Sequence, residues 1–152
     1  MTNVNEFMRS WLSHRKVLHQ MLEEVSTEQL SLRPWEKAMS VSELAQHIAG
    51  AMGMFAETVK NGAFTPGAPA KEIATADELR AIVSAETEKA EATLRSLTEE
   101  QLSRSVDFFG RSVPGHTLLQ EAKDHEIHHK GQLFVYLRQA GIEKLPFFVN
   151  HG

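Results

Sequence analysis

Apolar residues return every three or four positions along four stretches of the chain, and polar, proline- or glycine-bearing stretches separate them. That spacing lays one apolar stripe along a helix of 3.6 residues per turn. The first stretch runs from about Asn3 to Val25, with Phe7, Trp11, His14, Leu18, Met21 or Leu22, and Val25 on its stripe. The second runs from about Val41 to Lys60 and carries Leu44, His47 or Ile48, Ala51, and Met54 or Phe55. Ser40 with Glu43 three residues later forms a capping box at its start, and Asn61-Gly62 ends it. The third runs from about Ala76 to Leu97 behind a second capping box, Thr75 with Glu78. Its stripe is Leu79, Ile82 or Val83, Glu86, Ala90, Thr93 or Leu94, and Leu97. The fourth runs from about Gly115 to Gln139 and stops at Gly141, with Leu118, Ala122, His125, His129, Gln132 or Leu133, and Tyr136 in line.

The connections read as follows. STEQLSLRPWEKAMS is a polar link around Pro34 with room for one helical turn at Glu28 to Leu30, and FTPGAPAKE is a loop. TEEQLSRSVDFFGRSVP is irregular, with a short extended pair from Val106 to Val113 around Gly110. The tail LPFFVNHG is apolar and short enough to pack over one end of the molecule. Four amphipathic helices without a convincing strand pattern predict an all-α fold, a four-helix bundle with antiparallel order. A chain of 152 residues is most simply one domain over 1–152.

Charge and cysteine content narrow the function. A net charge of -4 lacks the basic footprint of a nucleic-acid binder and gives no attraction to anionic membranes. No run approaches the ~20 apolar residues of a membrane helix. MTNVNEFMRSWLSHRK lacks the apolar core of a signal peptide, so the expected location is the cytoplasm. The absence of cysteine rules out disulfides, thiolate metal sites and a cysteine nucleophile.

The chemistry concentrates in DHEIHHKGQL, where three of the eight histidines fall within five residues. His125 and His129 are four apart, so on a helix they share a face and can reach one divalent ion. His128 lies on a more polar face and falls outside that pair. His47, on or beside the second stripe, is the candidate third ligand; the alternative is a core histidine satisfied by one hydrogen bond. Three imidazoles from two helices leave coordination positions open, as catalytic sites do. HEIHH also fits the zinc-protease pattern H-E-x-x-H, with Glu126 as general base. The downstream ligand such proteases need is missing: Gly131 follows His129 by only two residues, and Glu143 lies beyond the helix end.

SVSELAQHIAG and DHEIHHKGQLFVYLRQAG together resemble the DinB family, whose pattern is a histidine in the second helix followed by H-x-x-H-H-[RK]-G-Q-L in the last. RPWEKAMS also resembles that family's link before the second helix. The resemblance covers about residues 30 to 141. It implies a four-helix bundle, a divalent metal (zinc or nickel) held by His47, His125 and His129, and a homodimer. It also implies an activity like those of thiol-dependent S-transferases, with a low-molecular-weight thiol and a small-molecule substrate as partners and no role for DNA. Mid-helix Gly131 fits a close approach by another helix, and Gln132 fits a group that orients a ligand.

Three functions follow as expectations. A metal-dependent thiol transferase takes its sulfur from the cosubstrate. A metal-dependent hydrolase uses a metal-bound water on the same three ligands. A non-enzymatic dimeric stress protein does neither. No catalytic residue beyond the ligands is assigned; Glu86 on the third stripe and His14 on the first are candidate bases, with an edge residue and a core residue as the alternatives.

Overall fold

A computed structural model describes residues 4–152; the expected helix start at Asn3 lies outside them. The described residues form five α-helices and one two-stranded sheet. The helices are α1 (Val4–Glu23), α2 (Val41–Asn61), α3 (Ala76–Ser96), the short α4 (Glu99–Ser103) and α5 (Gly115–Gln139). Strands β1 (Ser105–Phe108) and β2 (Arg111–Pro114) pair antiparallel between α4 and α5. A single 3₁₀ turn at Thr27–Gln29 occupies the first link.

Local chemistry sets these boundaries. The Ser40 side chain accepts from the Glu43 amide, and Glu43 returns a bond from the Ser40 amide. Gly62, at φ 82°, closes the other end of α2 in the left-handed conformation that glycine adopts without strain. At α3 only half of the expected box forms: Thr75 accepts from Glu78, but the Glu78 carboxylate takes the amide of Ala74 instead of Thr75. The α4 helix was not expected. Its own capping box, Thr98 with Gln101, holds one turn and a half in a stretch that lacks helical periodicity. The extended pair at Val106 to Val113 is present, closed by Phe109 (φ 53°) and Gly110 (φ 80°). Two positive φ values are the mark of the type I′ hairpin turn.

The four long helices do not alternate up and down. The core divides into two halves. One half gathers Phe7, Met8 and Trp11 of α1 with Leu118, Leu119 and Ala122 of α5, against the late residues Phe55, Ala56 and Val59 of α2 and Ala90 and Leu94 of α3. The other half gathers the late residues of α1 and α5 with the early residues of α2 and α3. So α1 and α5 run one way, and α2 and α3 run the other. The expected antiparallel order is thereby corrected for α2 and α3, which pack as parallel neighbours. The connection 62–75 makes this possible, since an extended chain of that length spans the ~30 Å of a helix the size of α2. It is held along α2 by a paired exchange between Gln46 and the backbone of Lys71. The tail is also corrected. It turns back alongside α1 and α5 instead of covering an end: the Asn150 amide donates to the Ser13 carbonyl, and Lys130 donates to the Phe148 carbonyl.

Candidate metal centre

His47 comes from the middle of α2, and His125 and His129 come from successive turns of α5. These helices run antiparallel side by side, so the three rings meet. One ring nitrogen from each lies within 4.8 Å of the others. His125 Nε2 and His47 Nε2 are 3.1 Å apart. Two nitrogens bound to one ion at about 2.0–2.1 Å stand roughly 2.9–3.4 Å apart between right-angled and tetrahedral geometry. The His47–His125 spacing therefore fits a shared divalent ion, and His129 lies within 4.8 Å of that pair.

Two further observations bear on the fit. The first is protonation. Burial, with the neighbouring His129 and His47, lowers the His125 pKa to about 4, and burial with His129 lowers that of His47. Neutral imidazole is the form a metal requires. The second is hydrogen bonding. His129 Nδ1 meets Gln132 Oε1 at 2.7 Å; a side-chain carbonyl only accepts, so this contact favours the tautomer with the proton on Nδ1, which leaves Nε2 as the ligand atom. His125 Nδ1 is buried without a partner among the described residues, so the chain satisfies one of its two nitrogens. His128 is exposed, and its ring lies against that of His129, centroids 4.8 Å apart.

Glu126 points away from this cluster. It is 1% exposed, facing α1 across the core. Its carboxylate accepts from Trp11 Nε1 at 2.8 Å, Arg15 Nε at 2.9 Å and Arg15 Nη2 at 2.7 Å. Arg15, fully buried, gives two further donors to Thr87 Oγ1 and the Ile48 carbonyl. The protease reading of HEIHH fails on this point: a buried carboxylate that faces α1 and accepts three hydrogen bonds from an arginine and an indole is no base for a water at the histidines. The ion pair, with Thr87, instead ties α1, α3 and α5 together behind the three histidines. The sequence did carry a signal for it. Arg15 is four residues after Trp11 on the first stripe, and a buried cation needs a partner.

The other candidates fall outside the cluster. His14 Nδ1 accepts from the Lys130 ammonium at 2.8 Å, and burial together with Lys130 holds its pKa at about 4. Glu86 is half-exposed, and the buried position on that turn of α3 is Thr87. Gly131 is exposed, and a side chain added there would meet nothing within 4 Å, so no helix of this chain approaches it. No described helix is long and apolar enough to cross a membrane.

The model of the DinB family matches residues 1–150. The chain belongs to the DinB family. Among its DinB relatives, the uncharacterized protein YjoA of Bacillus subtilis is 42% identical over 151 residues, covering 97% of each chain. A crystal structure of the DinB-like YjoA superposes with a TM-score of 0.84 at 40% identity, over 96% of this chain and 99% of that one. A DinB-like protein from Bacillus cereus superposes with a TM-score of 0.77 at 25% identity, over 94% and 95% of the two chains. Three histidines that could hold a metal ion thus sit in a DinB fold, between the second and last long helices.

Proposed function

We propose that the protein is a metal-dependent enzyme of the thiol S-transferase type, built on a bundle of its four long helices, with zinc or nickel held by His47, His125 and His129. The observation that carries the reading is the convergence of three imidazoles, with His125 held neutral by burial and its histidine neighbours, at a mouth where His47 is exposed. Neutral ligands leave the charge of a divalent ion uncompensated, and that favours an anionic guest. Membership of the DinB family supports the thiol part, and a chain with no cysteine must take its sulfur from a cosubstrate.

A divalent ion bound there supplies Lewis acidity and lowers the pKa of a thiol that joins it. The chain supplies orientation. Gln132 fixes the tautomer of His129, and the Arg15–Glu126 pair locks the rotation of α5 that turns His125 and His129 toward α2. Glu126 is already engaged, so the thiol proton leaves to solvent at the open mouth. With a metal held there, sulfur would bond to the electrophilic carbon as the leaving group departs with its electron pair. The reading includes a small-molecule substrate, a cytoplasmic setting and a homodimer. Support for the dimer comes from the outer face of α5, where exposed Ile127 and Val135 flank Gly131 one turn to each side.

The test uses cobalt- or nickel-substituted protein. Adding a low-molecular-weight thiol is expected to change the ligand-field spectrum, and the change should vanish in His129→Ala. Turnover of activated esters with no thiol present, together with a spectrum that thiols leave unmoved, would replace this reading with a hydrolase.

A further inference from the structure

Four phenylalanines form a continuous path away from the three histidines. The ring of Phe55, on α2, lies 6.2 Å from that of His125. Phe55 stacks on Phe108 at 5.4 Å, and Phe108 touches both Phe64 at 6.0 Å and Phe109 at 4.8 Å. Phe64 and Phe109 close the group at 4.6 Å. The path runs from buried to open: Phe55 is buried, Phe108 half-buried, Phe64 39% exposed and Phe109 71% exposed.

The backbone beneath these rings is fixed. Phe108 and Phe109 sit at the tip of the hairpin. Ala63 bridges to Asp107, with the Phe64 amide donating to the Asp107 carbonyl and the Asp107 amide to the Gly62 carbonyl. The rings are therefore mounted on paired backbone and not on a free loop.

Phe109 is the telling residue. It occupies the first central position of a type I′ turn at φ 53°, where asparagine or glycine is favoured and a bulky side chain is strained. It also leaves most of an aromatic ring in water. The strain does not help the fold, and a strained residue at the open end of a ring path that leads to a candidate site points to a use.

We infer that Phe55, Phe64, Phe108 and Phe109 form the subsite for an aromatic or similarly apolar portion of the substrate, whose reacting end lies at His47, His125 and His129. This rests on the metal-dependent reading above. Aromatic pairs of this kind take a flat apolar guest by stacking and edge contacts. The proposed guest thus carries an apolar group, and is not a sugar or a polyanion.

The experiment compares 2-phenylethanethiol with ethanethiol on cobalt-loaded protein, reading the ligand-field spectrum. The two probes share the sulfur and differ by the ring. Wild type should bind the phenyl compound at least about tenfold more tightly, the worth of burying most of an aromatic ring. Phe109→Asn and Phe108→Leu should each reduce that ratio while leaving cobalt content and ethanethiol affinity unchanged. Phe109→Asn should also raise the melting temperature, because asparagine relieves the turn; a merely structural phenylalanine would lower it. A wild-type ratio near one overturns the proposal, as does a ratio that survives both substitutions. Dissociation of a dimer by Phe109→Asn in sedimentation, with the ratio unmoved, would make the rings a contact between copies and also overturn it. Failure of wild type to take up cobalt would sink the metal reading separately. The subsite is then read on metal-free, ¹⁵N-labelled protein with 2-phenylethanol: shifts at the amides of Phe64, Phe108 and Phe109 support it, and unmoved amides overturn it.

Discussion

Glu126 and His125 are neighbours in sequence with opposite tasks. One faces α1 and closes a buried ion pair, and the other faces α2 and joins the histidines. Removing one partner of a buried pair leaves an uncompensated charge and costs about 3–5 kcal/mol. Glu126→Gln is accordingly expected to destabilise the protein by about that much in urea denaturation, because Arg15 stays charged in the core. A general base at this position would show the reverse, with stability intact and only turnover lost. At this scale the sequence was half legible. The i, i+4 spacing places His125 and His129 on one face of α5, as helix geometry requires, and the structure brings His47 of α2 to the same cluster. The direction of Glu126 was hidden, because a residue 100° round the helix from a ligand points either to the site or to the core. Only the packing of α1 decides which. Lys130, buried against His14 and the tail carbonyl of Phe148, was hidden for the same reason.

Helix ends were the most legible feature among the elements. The boxes at Ser40 and Thr98 and the left-handed glycines 62 and 141 are local devices, written within four residues of the boundary they set. The box at Thr98 went unread only because α4 is too short to show a period. What no local pattern records is how elements approach one another. Gly115, the first residue of α5, is the sharpest case. A Cβ added there would lie 2.6 Å from the Gln101 carbonyl oxygen and 2.9 Å from that of Leu102. Both are backbone atoms at the end of α4 and cannot swing away. Gly115→Ala is expected to cost about 1–3 kcal/mol by overpacking, measured as a lowered denaturation midpoint with the same slope. The same substitution at Gly131, where nothing lies within 4 Å, gains helix propensity in the isolated chain.

For the whole molecule, the helical class was legible and the order of the helices was not. Periodicity reports that a helix buries a face but not which way it runs. The parallel packing of α2 and α3 depends on the connection 62–75, which reads in the sequence only as a loop. That order matters to the site. It sets α2 antiparallel against α5, so that His47 meets His125 and His129 near the middle of both helices, backed by the Arg15–Glu126 pair and flanked by the aromatic path. The central claim is that these three histidines act together on one metal ion. The most direct test is metal per chain, measured by mass spectrometry on wild type and His47→Ala purified without added metal or chelator, with circular dichroism to show that both are folded. The account predicts close to one divalent ion per wild-type chain and its loss from a folded His47→Ala. A folded variant that keeps its metal, or a wild type that carries none, would contradict it.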